Sequence, residues 1–181
     1  DSRDLTACSD DDVSGTIDVA TECLAPVVGT LRTVVTADML ASDRPVYATL
    51  LTTMATDLAI AANGIGGSTD DLLTELGNAA AQVKSTVGFG LDSTTDIFTT
   101  SPILDENSDT AAEQEQVAAY RSAVQALASV IDQMADALGG TDPVAMLTAM
   151  TEDLADGTID GEVDGTPQAI YDGDADVATA T

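Results

Sequence analysis

Between Thr110 and Gly139 the chain carries one continuous apolar stripe. Val117, Tyr120, Val124, Leu127, Ile131, Met134 and Leu138 recur at alternating spacings of three and four. Side chains so spaced share one face of an α-helix, whereas a strand would need a period of two. Gly139-Gly140 ends the run. A long helix with one narrow apolar face has to bury that face against other elements, so the stripe predicts a helical packing partner.

Further segments predict those partners. In "DRPVYATLLTTMATDLAIAANGI", Asp43 is placed to cap a helix and Pro45 to sit in its first turn, where a missing N–H costs nothing. Val46, Leu50, Met54 and Leu58 follow helical spacing, and Asn63-Gly64 terminates the segment. In "STDDLLTELGNAAAQVKSTVGFG", Ser68 or Thr69 caps, Asp70 and Asp71 face the positive helix terminus, and Leu72, Leu76, Val83 and Val87 form the apolar side. In "TDPVAMLTAMTEDLADG", Thr141 or Asp142 caps, Pro143 takes the first turn and Gly157 closes, with a stripe of Val144, Leu147, Met150 or Thr151, and Leu154. A less regular helix is expected from about Asp18 to Thr33, interrupted near Pro26.

The stretch from Gly88 to about Asp109 is a long loop that is expected to pack through Phe89, Leu91, Ile97, Phe98 and Ile103. After Gly157 the helical stripe stops and turn-forming residues dominate. The expected fold is all-α: a small bundle of four to five helices with one long packed loop and an acidic C-terminal extension. Residues 1–17 form an acidic N-terminal extension, 18–157 the helical bundle, and 158–181 an Asp/Gly-rich C-terminal extension.

Charge restricts the partners. The 181 residues hold 32 acids against five bases, a net charge of −27. Nucleic acid requires clustered Lys and Arg to displace counterions, so it is excluded as a partner, and an anionic membrane surface repels the chain for the same reason. Self-repulsion of this size keeps a chain soluble, opposes compaction and is relieved by salt, which points to a saline setting or to cation binding, with a simple solvated acidic surface as the alternative. No run of apolar residues is long enough for membrane insertion as a helix.

Catalytic options are few. Histidine is absent, which removes Ser-His and Cys-His nucleophile systems. The single lysine, Lys84, follows no phosphate-binding glycine cluster. Carboxylate pairs are the only acid–base chemistry left, and among 32 carboxylates proximity alone identifies none. The chain is therefore read as non-enzymatic. Cys8 and Cys23 are read as one disulfide, which implies an oxidising compartment, with buried free thiols as the alternative. A loop of that length would stabilise by about 3 kcal/mol on the chain-entropy view. The opening "DSRDLTACSDDD" has no apolar leader, as expected of a mature secreted chain whose signal peptide has been removed.

Calcium is the cofactor left open. It takes six to eight oxygens, with glycine to allow sharp turns. "DGTIDGEVDG" and "DGDAD" supply both through Asp156, Asp160, Glu162, Asp164, Asp172, Asp174 and Asp176. Neither completes a twelve-residue calcium loop: counting from Asp160 the last position is Tyr171 instead of Glu, and counting from Asp172 the glycine position is Val177. The alternative is a solvated acidic turn region that follows a helix. Ile170 and Tyr171 form an isolated apolar point in the extension, and are candidates for docking on the bundle or on a neighbouring subunit. Tyr120, on the main stripe, is read as core.

Three phrases, "FGLDSTTDIFTTSPIL", "AAYRSAVQALASVI" and "AMTEDLADGTIDG", resemble a helical domain of secreted and surface-anchored proteins of Gram-negative, often marine, bacteria. "YATLLTTMATDL" is similar to an earlier segment of that pattern, so the likeness covers roughly residues 43 to 165. The resemblance implies an extracellular or cell-surface location, no catalytic residue, and a fixed end-of-helix role for "DLADGTIDG". In longer relatives of that kind the domain accompanies small β-sandwich modules, and none is present here. Two functions are then expected as alternatives. One is a structural or assembly protein, a subunit of an extracellular surface layer or filament that associates with itself or with other surface proteins. The other is a monomeric calcium- or ligand-binding surface module.

Overall fold

The computed structural model describes residues 31–42, 44–64, 67–104 and 108–168. Cys8, Cys23, Ile170, Tyr171, Asp172, Asp174 and Asp176 lie outside the described residues. The fold is all-α, with helices α1 (Ala37–Ala41), α2 (Leu50–Asn63), α3 (Thr69–Val87), α4 (Ala111–Ala137) and α5 (Pro143–Asp153). A 3-10 turn (Leu154–Asp156) and a hairpin of β1 (Glu162–Val163) and β2 (Thr166–Pro167) follow α5.

Helix α2 is the centre of the bundle. Leu51, Thr52, Met54 and Ala55 are wholly buried, and from Leu50 to Ala59 only Asp57 reaches the surface to any extent. A helix buried on all sides needs small residues where neighbours press close, and Ala55, Ala59 and, from α3, Ala79 meet that need. Helix α4 buries Val117, Tyr120, Leu127 and Ile131, as its stripe predicts, and also Ala123 and Ala135, which the stripe did not include. Val124, Met134 and Leu138 are half-buried against the same core. From α5, Met146, Leu147, Met150 and Leu154 complete the core.

The helix starts are set by short-range chemistry. Ser68 and Thr110 cap α3 and α4, each in a reciprocal box with the acid three residues on, Asp71 and Glu113. The hydrogen bonds from Ser68 and Thr110 hold those two exposed carboxyls below their ordinary pKa. Asp142 caps α5 by accepting from the Val144 N–H at 3.0 Å, with Pro143 in the first turn.

Three expectations are corrected. Helix α2 starts at Leu50 with Thr49 as its cap, and Pro45 and Val46 lie in extended chain. The reciprocal Thr49–Thr52 box gives the later start two hydrogen bonds that a start at Pro45 lacks. The helix expected from Asp18 to Thr33 falls mostly outside the described residues, and its last part, residues 31–33, is not helical. There the backbone bonds to α2 instead: the Arg32 N–H donates to Thr53 Oγ1 at 2.9 Å and the Arg32 carbonyl accepts from the Thr52 hydroxyl at 2.9 Å. In the 88–104 loop Ile97 and Phe98 are buried and Leu91 half-buried, as expected, but Phe89 and Ile103 are 53% and 60% exposed. Phe89 sits at a left-handed φ of +48° between two glycines, and this turns its ring outward. Beyond Gly157, Ile159 packs on the core and the hairpin continues the described structure to residue 168.

Few cations offset the acids. Arg32 pairs with Asp57 at 2.7 Å and Arg44 with Asp96 at 3.6 Å, while Lys84 donates to the Ser93 and Thr95 carbonyls. Raising NaCl from about 0.05 M to about 2 M is expected to stabilise the fold by roughly 1–2 kcal/mol, or about 5 °C in Tm, by screening the remaining repulsion. Thermal melts across that range check it, and a flat or falling Tm would refute it.

Candidate functional site

The "DLADGTIDGEVDG" segment folds around an aspartate that the sequence reading did not single out. Asp153 ends α5 and is fully buried. Its two carboxylate oxygens accept the N–H groups of Asp160 and Gly161 at 3.2 and 3.0 Å. The chain between them makes the 3-10 turn, passes Gly157 at φ +111° and returns to the carboxylate. A single buried acid thereby closes the loop from the end of α5 to the start of the hairpin. The sequence signal was present: Asp153 stands in helical register with the buried Met146, Ala149 and Met150, an acid on a core face.

The predicted calcium ligands in this segment are exposed, and two of them brace the local backbone. Asp156 accepts the Thr158 N–H and hydroxyl, both at 3.1 Å. Asp160 accepts the Glu162 N–H at 3.0 Å, and its other oxygen accepts the Thr158 hydroxyl at 3.4 Å. These are side-chain turns that acids and threonines make when exposed. Glu162 pairs with Pro167 across the hairpin. Asp164 and Gly165 form its tip, both at positive φ, as a two-residue hairpin turn requires. Among the described residues no group of three or more acids, cysteines or histidines is placed to hold a metal ion.

A second buried polar feature joins four separate parts of the chain. Tyr120 is wholly buried on α4, and its hydroxyl donates to the Ile97 carbonyl at 2.7 Å. That uses its one proton, so the Thr49 hydroxyl, at 2.9 Å, is the donor to the Tyr120 oxygen. Thr49 Oγ1 in turn accepts the Thr52 N–H at 3.3 Å, and the Thr52 hydroxyl reaches the Arg32 carbonyl. One chain of hydrogen bonds thus runs from the segment around Arg32, through the start of α2, to α4 and the 88–104 loop. Burial pushes the Tyr120 phenol up to about 12; the Thr49 hydrogen bond opposes the shift and the nearby Asp96 charge adds to it.

That loop is also tied by its own acids. Asp92 accepts the Thr94 N–H at 2.7 Å and Asp96 the Phe98 N–H at 3.0 Å. The Tyr47 N–H donates to the Phe98 carbonyl at 2.9 Å.

A groove of about 250 Å³ lies where α2, α3 and the 3-10 turn meet, lined by Leu58, Ala61, Ala62, Glu75, Asn78 and Gln82 among others. Gln82 is committed to the fold, since its side-chain amide donates to the Leu154 carbonyl at the start of the 3-10 turn. On the outer surface several large apolar side chains are open to solvent, with Leu40, Leu104 and Ile103 the most exposed. No helix among the described residues is long and apolar enough to cross a membrane.

Comparison with family models, curated proteins and solved structures returns no match for this chain.

Proposed function

We propose that the protein is a secreted, non-enzymatic subunit of an extracellular surface layer or filament. The observation that carries this reading is the set of large apolar side chains left open on a strongly acidic chain: Val35, Leu40, Ile60, Leu73, Phe89, Ile103 and Leu104. Exposed apolar side chains are common singly, but Ile103 and Leu104 stand together at one end of the packed loop, and Phe89 at its other end is held out by a left-handed backbone. The loop that presents them is braced at four points, by Lys84, Tyr120, Arg44 and the Tyr47 backbone, so it offers a fixed shape to a neighbour. Ile170 and Tyr171 are the proposed contacts in the C-terminal extension. A heterologous contact of one surface with a different one extends into a filament when its rotation does not close.

Sedimentation velocity in high salt, with and without a calcium chelator, tests the reading. Particles much larger than a monomer are expected, and their collapse on chelation would place calcium in the contacts. A monomer at every concentration and salt condition would overturn the assembly reading.

A further inference from the structure

We propose that the outer face of α4 is a twofold self-association surface, on which Arg121 of one copy pairs with Asp132 of the other. This rests on the assembly reading and names one of its contacts. Between Glu115 and Asp132 there is no acidic residue, in a chain that holds 32. The side chains exposed along that stretch include Ala118, Arg121, Ser122, Gln125 and Ser129. They lie opposite the buried edge of Val117, Tyr120, Leu127 and Ile131. Two copies of a chain of net charge −27 repel each other over most of their surface. A neutral strip of small side chains on a long helix lets the backbones approach closely without bringing acids together.

The charges at the edge of that strip specify the arrangement. Arg32, Arg44 and Lys84 are each bound to other parts of the fold, whereas Arg121 is exposed and has no ion-pair partner among the described residues. Asp132 is exposed further along the same helix. At 100° per residue the two lie about 20° apart around the helix axis, so they share one edge of the face. When two such helices pack antiparallel about a twofold axis, residues on one edge meet residues on the same edge of the partner. An axis passing between Gln125 and Ser129 brings Arg121 onto Asp132 of the second copy, and Asp132 onto its Arg121. The contact is therefore self-complementary, as an isologous interface requires. A parallel pairing would carry that edge to opposite sides of the contact and leave Arg121 without Asp132 of the second copy.

Charge reversal tests this in the full chain. Arg121→Asp and Asp132→Arg are each expected to raise the dissociation constant of self-association by about tenfold or more in sedimentation velocity, since each sets like charges against one another twice per pair. The double variant R121D/D132R is expected to restore association to near the wild-type constant. Both positions are exposed, so circular dichroism melts should be unchanged in all three variants. Single variants that associate as the wild type does would overturn this surface and leave the assembly reading standing. Failure of the double variant to recover would overturn the Arg121–Asp132 pairing. A wild-type chain that never associates would fail the assembly reading before this one.

Discussion

Replacing Asp153 by alanine is expected to cost about 3 kcal/mol of folding stability, a fall of roughly 10 °C in Tm for a chain of this size. The carboxylate is fully buried and accepts two N–H groups, from Asp160 and Gly161. Hydrogen bonds to a charged acceptor are the stronger kind, and their removal leaves two donors without a partner in a partly buried turn. The methyl of alanine fills none of that space. Asp153→Asn keeps one carbonyl oxygen as an acceptor but replaces the other with a donor that faces an N–H. It is expected to lose about half as much. The damage should be local at first. Amide exchange should speed up at Asp160, Gly161 and the hairpin, while α2 and α4 keep their protection. If D153A melts with the wild type, the carboxylate is not the closure of this loop.

The same aspartate shows where the sequence was readable and where it was not. Caps and stripes depend on residues three or four apart, so the α4 stripe, Pro143 in a first turn, and caps narrowed to Ser68 or Thr69 and to Thr141 or Asp142 could be read directly. The start of α2 could not. Asp43 and Pro45 make a plausible local start, but the reciprocal box of Thr49 and Thr52 sits deeper, and Thr49 is also fixed by Tyr120 across the core. Residues 31–33 are not helical, and hydroxyls of α2 serve the Arg32 backbone instead, a pairing across 20 and 21 positions that no local pattern reveals. In the acidic segment the count of carboxylates drew attention to Asp156, Asp160 and Asp164, which are exposed turn residues. The acid that organises the segment is the one lodged among apolar neighbours, legible only by its register with Met146 and Ala149. The Asp153 contacts supply a physical cause for a fixed end-of-helix feature in "DLADGTIDG".

Tyr120 should make the fold sensitive to alkali, and Tyr120→Phe should remove most of that sensitivity. Its folded phenol titrates at about 12, above the value near 10 of a solvated tyrosine. A group whose pKa is raised by folding binds its proton more tightly in the folded state. Its contribution is fully present below pH 10 and is lost as pH rises from about 10 to about 12. Two pH units correspond to about 2–3 kcal/mol. Ionisation would bury a phenolate, remove the donor from the Ile97 carbonyl, and bring a charge near Asp96. Phenylalanine loses only the hydroxyl. Near neutral pH it is expected to cost about 1–2 kcal/mol, because the Ile97 carbonyl loses its donor and the Thr49 hydroxyl an acceptor. Thermal melts of both proteins between pH 8 and about 12 separate the two effects. The wild-type curve should start higher, fall faster above pH 10 and approach that of the variant. Two curves falling in parallel would mean that another group carries the alkaline transition. They would also mean that the hydrogen-bond chain from Arg32 to Ile97 does not depend on the Tyr120 proton. A steeper wild-type fall, accompanied by loss of protection in both the 88–104 loop and the start of α2, would identify this phenol as the link that holds the loop to the centre of the bundle.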